Sequence, residues 1–123
     1  MVIKGYKGFD SRFQCVGLQY EVGETYRYVG DIKICSRGFH FCKELSDVLN
    51  FYPLNPKFNH DIYFPIFPNR YAEVECLGRW FTNDHHNKYV TNRIRIVREL
   101  SEDEIYEILK REMEKKIHSK RDM

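Results

Sequence analysis

Long hydrophobic runs are missing from this chain of 123 residues. No stretch approaches the roughly 20 apolar residues that span a bilayer, and Met1 to Phe9 carries no apolar segment of the secretory-signal kind. A soluble protein of the cytoplasm, with no membrane partner, is therefore expected. Cysteine is sparse, at positions 15, 35, 42 and 76 only. No two of the four form a Cys-x-x-Cys pair, which excludes the ordinary zinc-ribbon and dithiol redox motifs. Each lies in an apolar or alternating context, where a free thiol usually acts as a small buried hydrophobe. Charge of one sign is lacking as well. Twenty basic residues against eighteen acidic leave +2, a balance that makes no case for nucleic acid from net charge. Internal repeats and low-complexity segments are also absent.

What the chain does have is apolar and aromatic content. It is 42% hydrophobic, with nine Phe, nine Tyr and one Trp, which excludes a disordered or collagen-like chain. The length suits one domain with one core, here residues 1–123. The ring count exceeds what a core of this size needs, so part of it is expected at a partner surface.

Glycine punctuates a β-rich first third. Val2 to Tyr6 is β-rich, Gly5, Gly8 and Gly17 interrupt the short strands of this stretch, and Leu18 to Val22 alternates up to Gly23. Gly30-Asp31 suits a hairpin between Thr25–Val29 and Ile32–Cys35, and Ser36-Arg37-Gly38 turns the chain into Phe39–Cys42. Glu44 to Tyr52 switches to helical spacing and Pro53 ends it. Residues 53–69 hold all four prolines and form a long aromatic loop, a length usually associated with function. Ala72 to Leu77 alternates as a half-buried strand ending at Gly78, and Arg79 to Thr82 continues it across a bend. Asn83 to Asn87 is a polar turn. Tyr89 to Leu100 is the longest strand, with Val90, Ile94 and Ile96 on one face and Thr91, Arg93, Arg95 and Val97 on the other. A helix over 101–118 opens on a capping box of Ser101 and Glu104, and Ile105, Ile108, Leu109, Met113 and Ile117 dock it on the sheet. The expected fold is α+β, a mostly antiparallel sheet with a short central helix and a longer C-terminal one.

Four constellations bear on chemistry. Cys35, His40, Cys42 and Cys76 have the atom types of a tetrahedral zinc site but none of the usual spacings, and buried thiols explain them more simply; His40 with Cys42 lacks the neighbouring donors a cysteine hydrolase needs. Adjacent His85 and His86 in a polar turn read as solvated side chains. Glu73 and Glu75 share a strand face, where like charges would set up an acid/base pair, although alternation alone accounts for them. Arg93 and Arg95 share a face that Arg98, Arg70, Arg79 and Lys88 would join on neighbouring strands, interleaved with Tyr71, Tyr89 and Trp80, the make-up of a phosphate-binding or base-stacking surface. Pairing of these arginines with Glu73 and Glu75 is the competing structural explanation. With Tyr63, Phe64 and Phe67 of the long loop, Arg93, Arg95 and Arg98 are the candidate binding surface.

Lys4-Gly5-Tyr6-Lys7-Gly8-Phe9, Gln19-Tyr20-Glu21-Val22-Gly23, the run Cys35 to Cys42, and Ala72-Glu73-Val74-Glu75 followed by Gly78 resemble a family of small uncharacterised domains found in phages, prophages and other mobile elements. The resemblance covers the first 100 residues and implies no activity. A more distant similarity is to ADP-ribosyltransferases, in the order Tyr6-Lys7-Gly8, then Gly38 to Cys42 before a helix, then Glu73-Val74-Glu75. It implies that Glu75 would contact the nicotinamide ribose and Glu73 the acceptor. His40-Phe41-Cys42, however, lacks the hydroxyls of that family's Ser-Thr-Ser strand. The expectation is a non-enzymatic accessory protein of a phage or mobile element that binds and inhibits a host macromolecule. Its concrete form is an inhibitor of a CRISPR-Cas nuclease, acting on the protein or its guide RNA, with no cofactor. A transferase-like NAD-using enzyme and a zinc-stabilised module are the alternatives.

Overall fold

The computed structural model describes residues 2–34, 36–54 and 68–121, with side chains through Ile117. Tyr63, Phe64, Phe67 and Cys35 therefore lie outside the described residues. The architecture is α+β, mostly antiparallel sheet with a short central helix and a longer C-terminal one.

Alternating residues build the larger sheet. β1 (Ile3–Phe9) runs antiparallel to β6 (Arg70–Cys76), from Ile3 opposite Cys76 to Phe9 opposite Arg70. On its other side β6 pairs with β9 (Arg93–Glu99), which pairs in turn with β4 (Thr25–Arg27). The order is β1-β6-β9-β4. Gly5 does not interrupt β1, as the sequence suggests; it admits a neighbour. A Cβ there would stand 2.5 Å from the Cys42 carbonyl oxygen and 2.7 Å from the Phe41 ring, so the glycine lets a second sheet close against the first.

That second sheet comprises β5 (Phe39–Phe41), β8 (Tyr89–Thr91) and β7 (Trp80–Thr82), in the order β5-β8-β7. It is tied to the first at Tyr6 and Cys42, whose backbones exchange N–H···O bonds of 2.7 and 2.9 Å. A hairpin of β2 (Gln14–Cys15) and β3 (Leu18–Gln19) stands apart from both sheets. The stretch from Tyr89 to Leu100 is thus two strands in two sheets, parted at Asn92. Thr91 is fully buried, not on a polar face, because its hydroxyl donates to the Arg79 carbonyl at 2.7 Å. Nor does Gly30-Asp31 make a hairpin. Thr25–Arg27 pairs with β9, where Tyr26 faces Ile94 and joins an aromatic core, a richer partner than Ile32–Cys35 offers.

Between the sheets lies that core: Phe9, Phe13, Tyr20, Phe39, Phe41 and Tyr89 with Ala72, Val74, Cys76, Ile94 and Ile96. Several rings meet edge-on, as Phe9 with Tyr20 at 5.2 Å and Tyr20 with Tyr26 at 4.8 Å, and Phe41 stacks on Tyr89 at 5.4 Å, geometries that aromatic quadrupoles favour. Tyr71 and Tyr89, expected among the surface arginines, are interior, whereas Trp80 is exposed.

The outer face of the first sheet carries a second cluster under two helices. α1 (Leu45–Val48) buries Leu45 and Val48. It is shorter than the helical spacing over 44–52 suggests. α2 (Glu102–Arg121) has the expected capping box, Glu104 N–H donating to Ser101 Oγ at 3.2 Å and Ser101 N–H to Glu104 Oε1 at 3.1 Å. Ile105 and Ile108 are buried against Tyr71 and Leu100, but Met113 and Ile117 are exposed, so the apolar stripe docks over only part of its length. The ends of the Pro-rich segment are pinned together: Asn69 Nδ2 donates to the Pro53 carbonyl at 3.0 Å and Tyr71 Oη to the Tyr52 carbonyl at 2.5 Å.

Candidate functional site

The two sheets exchange strands along one seam. β6 passes to β7 through Leu77-Gly78-Arg79, and β8 passes to β9 through Asn92. The crossings are bonded: Leu77 N–H donates to the Arg93 carbonyl at 3.0 Å and Asn92 N–H to the Arg79 carbonyl at 3.3 Å. A side chain at Gly78 would overlap Asn92 Oδ1 and come within 3.0 Å of Arg93 Cβ, so glycine permits the close crossing.

Beside this seam opens a groove of about 550 Å³ lined by Arg27, Tyr28, Arg79, Asn92 and Arg93 among others. Arg27 and Arg93 stand directly opposite each other in the β4–β9 register, an arrangement that costs stability because like charges face each other. Among the described residues no carboxylate lies within 4.0 Å of Arg27, Arg79 or Arg93. Asn92 Oδ1 is buried there without a hydrogen-bond partner. Next along the chain is Trp80, 45% exposed on the edge strand β7, with Phe81 after it at 55%. The groove offers guanidinium donors to an anion.

The other predicted arginines are engaged. Arg95 pairs with Glu75 at 3.5 Å, and Arg98 pairs with Glu73 at 3.2 Å and with Glu104. Glu73 and Glu75 are thus consumed in cross-strand ion pairs on the outer face of the first sheet. Arg70 forms a two-point bridge to Glu99, at 2.8 and 2.5 Å. Of the zinc candidates, Cys42 lies in the cluster under the helices and Cys76 in the core between the sheets. No group of three metal-ligating side chains occurs among the described residues. Burial pushes the Cys42 thiol up to about 12, whereas metal binding and nucleophilic attack both need the thiolate.

A second cavity, of about 730 Å³, is lined in part by β5. Lys7 lines it, only 4% exposed, its ammonium donating to the His40 carbonyl at 2.6 Å and lying 5.6 Å from the Tyr20 ring centroid. Burial, opposed by the Cys15 thiol, lowers the Lys7 pKa. His40 is held down at about 4, first by burial and then by the charges of Lys7 and Lys88, so its ring is neutral at pH 7. Cys15 Sγ and Tyr52 Oη are 3.1 Å apart. Glu73 and Glu75 do not reach this cavity.

Sequence reasoning missed Arg27, because it assigned that strand to a local hairpin, and Lys7, although period-two alternation puts Lys7 on one face with Ile3, Gly5 and Phe9. A lone charge on an apolar face was the available signal. No match to this chain was found among curated proteins or among solved structures. One family model, described as a domain of unknown function, does match, over residues 3–108, and the chain belongs to that family, DUF7666.

Proposed function

We propose that this is a non-enzymatic accessory protein of a phage or mobile element that binds a host ribonucleoprotein, its seam groove taking the phosphates of an RNA strand. A CRISPR-Cas nuclease carrying its guide RNA is the concrete target. The observation that supports the reading most is the Arg27–Arg93 pair. Two guanidiniums in direct cross-strand register, with Arg79 on the same groove and no described carboxylate in reach, are a cost to folding that a bound polyanion would offset. Trp80, next to Arg79 in the chain and 45% exposed, would supply a ring for base stacking. The surface is narrower than the sequence suggests, because Arg95 and Arg98 are neutralised within the fold.

A catalytic transferase is disfavoured. Tyr6-Lys7-Gly8 and Phe39–Phe41 do border one cavity, in the order that similarity would require, but the glutamates that would do the chemistry face away and are paired to arginine.

Fluorescence anisotropy with a labelled single-stranded RNA tests the proposal. The double variant Arg27→Gln, Arg93→Gln is expected to bind about tenfold or more weakly and to lower the slope of log K against log salt by about 1.4, near 0.7 per lost phosphate contact. The same variant should melt no lower than the parent, since it removes a repulsion. Equal affinity of parent and variant, or parent binding no tighter than about 100 µM at low salt, would overturn the reading.

A further inference from the structure

Lys7 presents a charge problem that the described fold does not solve. Its ammonium is enclosed, hydrogen-bonds to the neutral His40 carbonyl and to the Cys15 thiol, and has no carboxylate within 4.0 Å among the described residues. An ammonium taken out of water is costly unless a counter-charge meets it. The described lining of its cavity contains no aspartate or glutamate, while Arg37 adds positive charge. We propose that this cavity is a binding site for a small aromatic anion, whose carboxylate or phosphate meets the Lys7 ammonium while its ring lies among the tyrosine and phenylalanine walls.

The dimensions and the walls fit. About 730 Å³ falls within the range of small-molecule sites, and Tyr20, Phe39, Phe41 and Tyr52 supply aromatic surface. With the His40 carbonyl holding one N–H of Lys7 and the Cys15 thiol a second, one donor is left for a ligand oxygen. Burial lowers the Lys7 pKa, and an anion beside the amine would favour its charged form again. At the mouth, Val16 is 98% exposed and Phe51 is 55% exposed. Val16 is held at φ 49°, a left-handed conformation that β-branched residues resist. Apolar groups kept in water at a rim, one of them at a backbone cost, are the dress of a site that closes on an apolar body. The cavity shares only Tyr28 with the arginine groove, so the two sites stand or fall separately.

The test compares one ring with and without its charge. Two-dimensional NMR of labelled protein is titrated with AMP and with adenosine, then with benzoate and with benzyl alcohol. At least one anion is expected to shift the amides of Cys15, Phe39, Phe41 and Cys42, with its neutral counterpart binding about tenfold or more weakly. Lys7→Met, which keeps the length and apolarity of the stem, should erase that difference. Equal binding of charged and neutral probes, or no shift of these amides by either anion up to about 5 mM, overturns the proposal. Should Lys7→Met fail to fold, reductive methylation of the parent protein decides. Saturating anion is expected to slow Lys7 modification about tenfold relative to the neutral probe, and an unchanged rate overturns the proposal.

Discussion

Val16 and Gly17 are the two loop residues of the β2–β3 hairpin, and both have positive φ, 49° and 78°. That pair of signs belongs to a type I′ turn, which asparagine followed by glycine suits best. A valine in the left-handed region costs about 1 kcal/mol. Val16→Asn is accordingly expected to stabilise the protein by about 1 kcal/mol, seen as a rise of roughly 4 °C in Tm by thermal denaturation; an unchanged or lower Tm would show that the turn is not strained. Lys7 teaches the complementary lesson. Alternation assigns it to the inward face, yet only the tertiary fold closes that face over it and brings the His40 carbonyl to the amine. Burial of a single polar residue depends on what covers it, and the cover here, at His40 of β5, is 33 residues away in sequence.

Among the elements, α1 is the least legible. It has no side-chain cap of its own, since Glu44 makes none. Its first amides are instead met from α2: Glu112 Oε2 accepts from Leu45 N–H at 2.7 Å and Oε1 from Ser46 N–H at 2.9 Å. A short helix has too few internal bonds to stand alone, so a carboxylate from another helix takes over the role that a serine or aspartate usually plays. Glu112→Ala is expected to cost about 1–2 kcal/mol, read as a fall in the urea midpoint with an unchanged m-value; a loss below about 0.3 kcal/mol would mean that the contact is a surface ion–dipole pairing of no consequence. α2 is the opposite case. Its capping box is local, spaced Ser-x-x-Glu, and so is legible in the sequence alone. How far its apolar stripe docks is not legible there: Ile105 and Ile108 are buried, whereas Met113 and Ile117 are exposed.

For the molecule as a whole, acid is the informative perturbation. His40 has an unfolded value near 6.5 and a folded value of about 4, so between those limits the unfolded chain binds the extra proton. Stability is therefore expected to fall as pH drops from 6.5 toward 4, with no His40 contribution above 6.5 and no further change from it below 4. Glu104, whose pKa is lowered chiefly by Arg98, acts in the same direction but only once pH falls below the usual carboxylate range. Tm measured from pH 7 to pH 5 thus reports mainly on His40, and His40→Gln should flatten that part of the profile. A parent Tm that holds constant over this interval would contradict the burial of that ring.

What local chemistry could settle, the sequence settled: the α+β class, the half-buried strand with Glu73 and Glu75 outward, the polar turn at 83–87 and the capped C-terminal helix. Each depends on residues within a few positions of one another, where periodicity and turn chemistry act. Family resemblance was legible for the same reason, as short runs such as Gly38-Phe39-His40-Phe41-Cys42. The pairing of strands was decided only in three dimensions. Strand β4 rejects its sequence neighbour for β9, Tyr89–Leu100 divides between two sheets at Asn92, and Glu112 caps a helix 67 residues earlier. These choices compare the packing of whole surfaces, which no window of sequence contains. Both candidate sites arise from them, because Arg27 meets Arg93, and Lys7 meets the His40 carbonyl, only after the sheets have closed around the aromatic core.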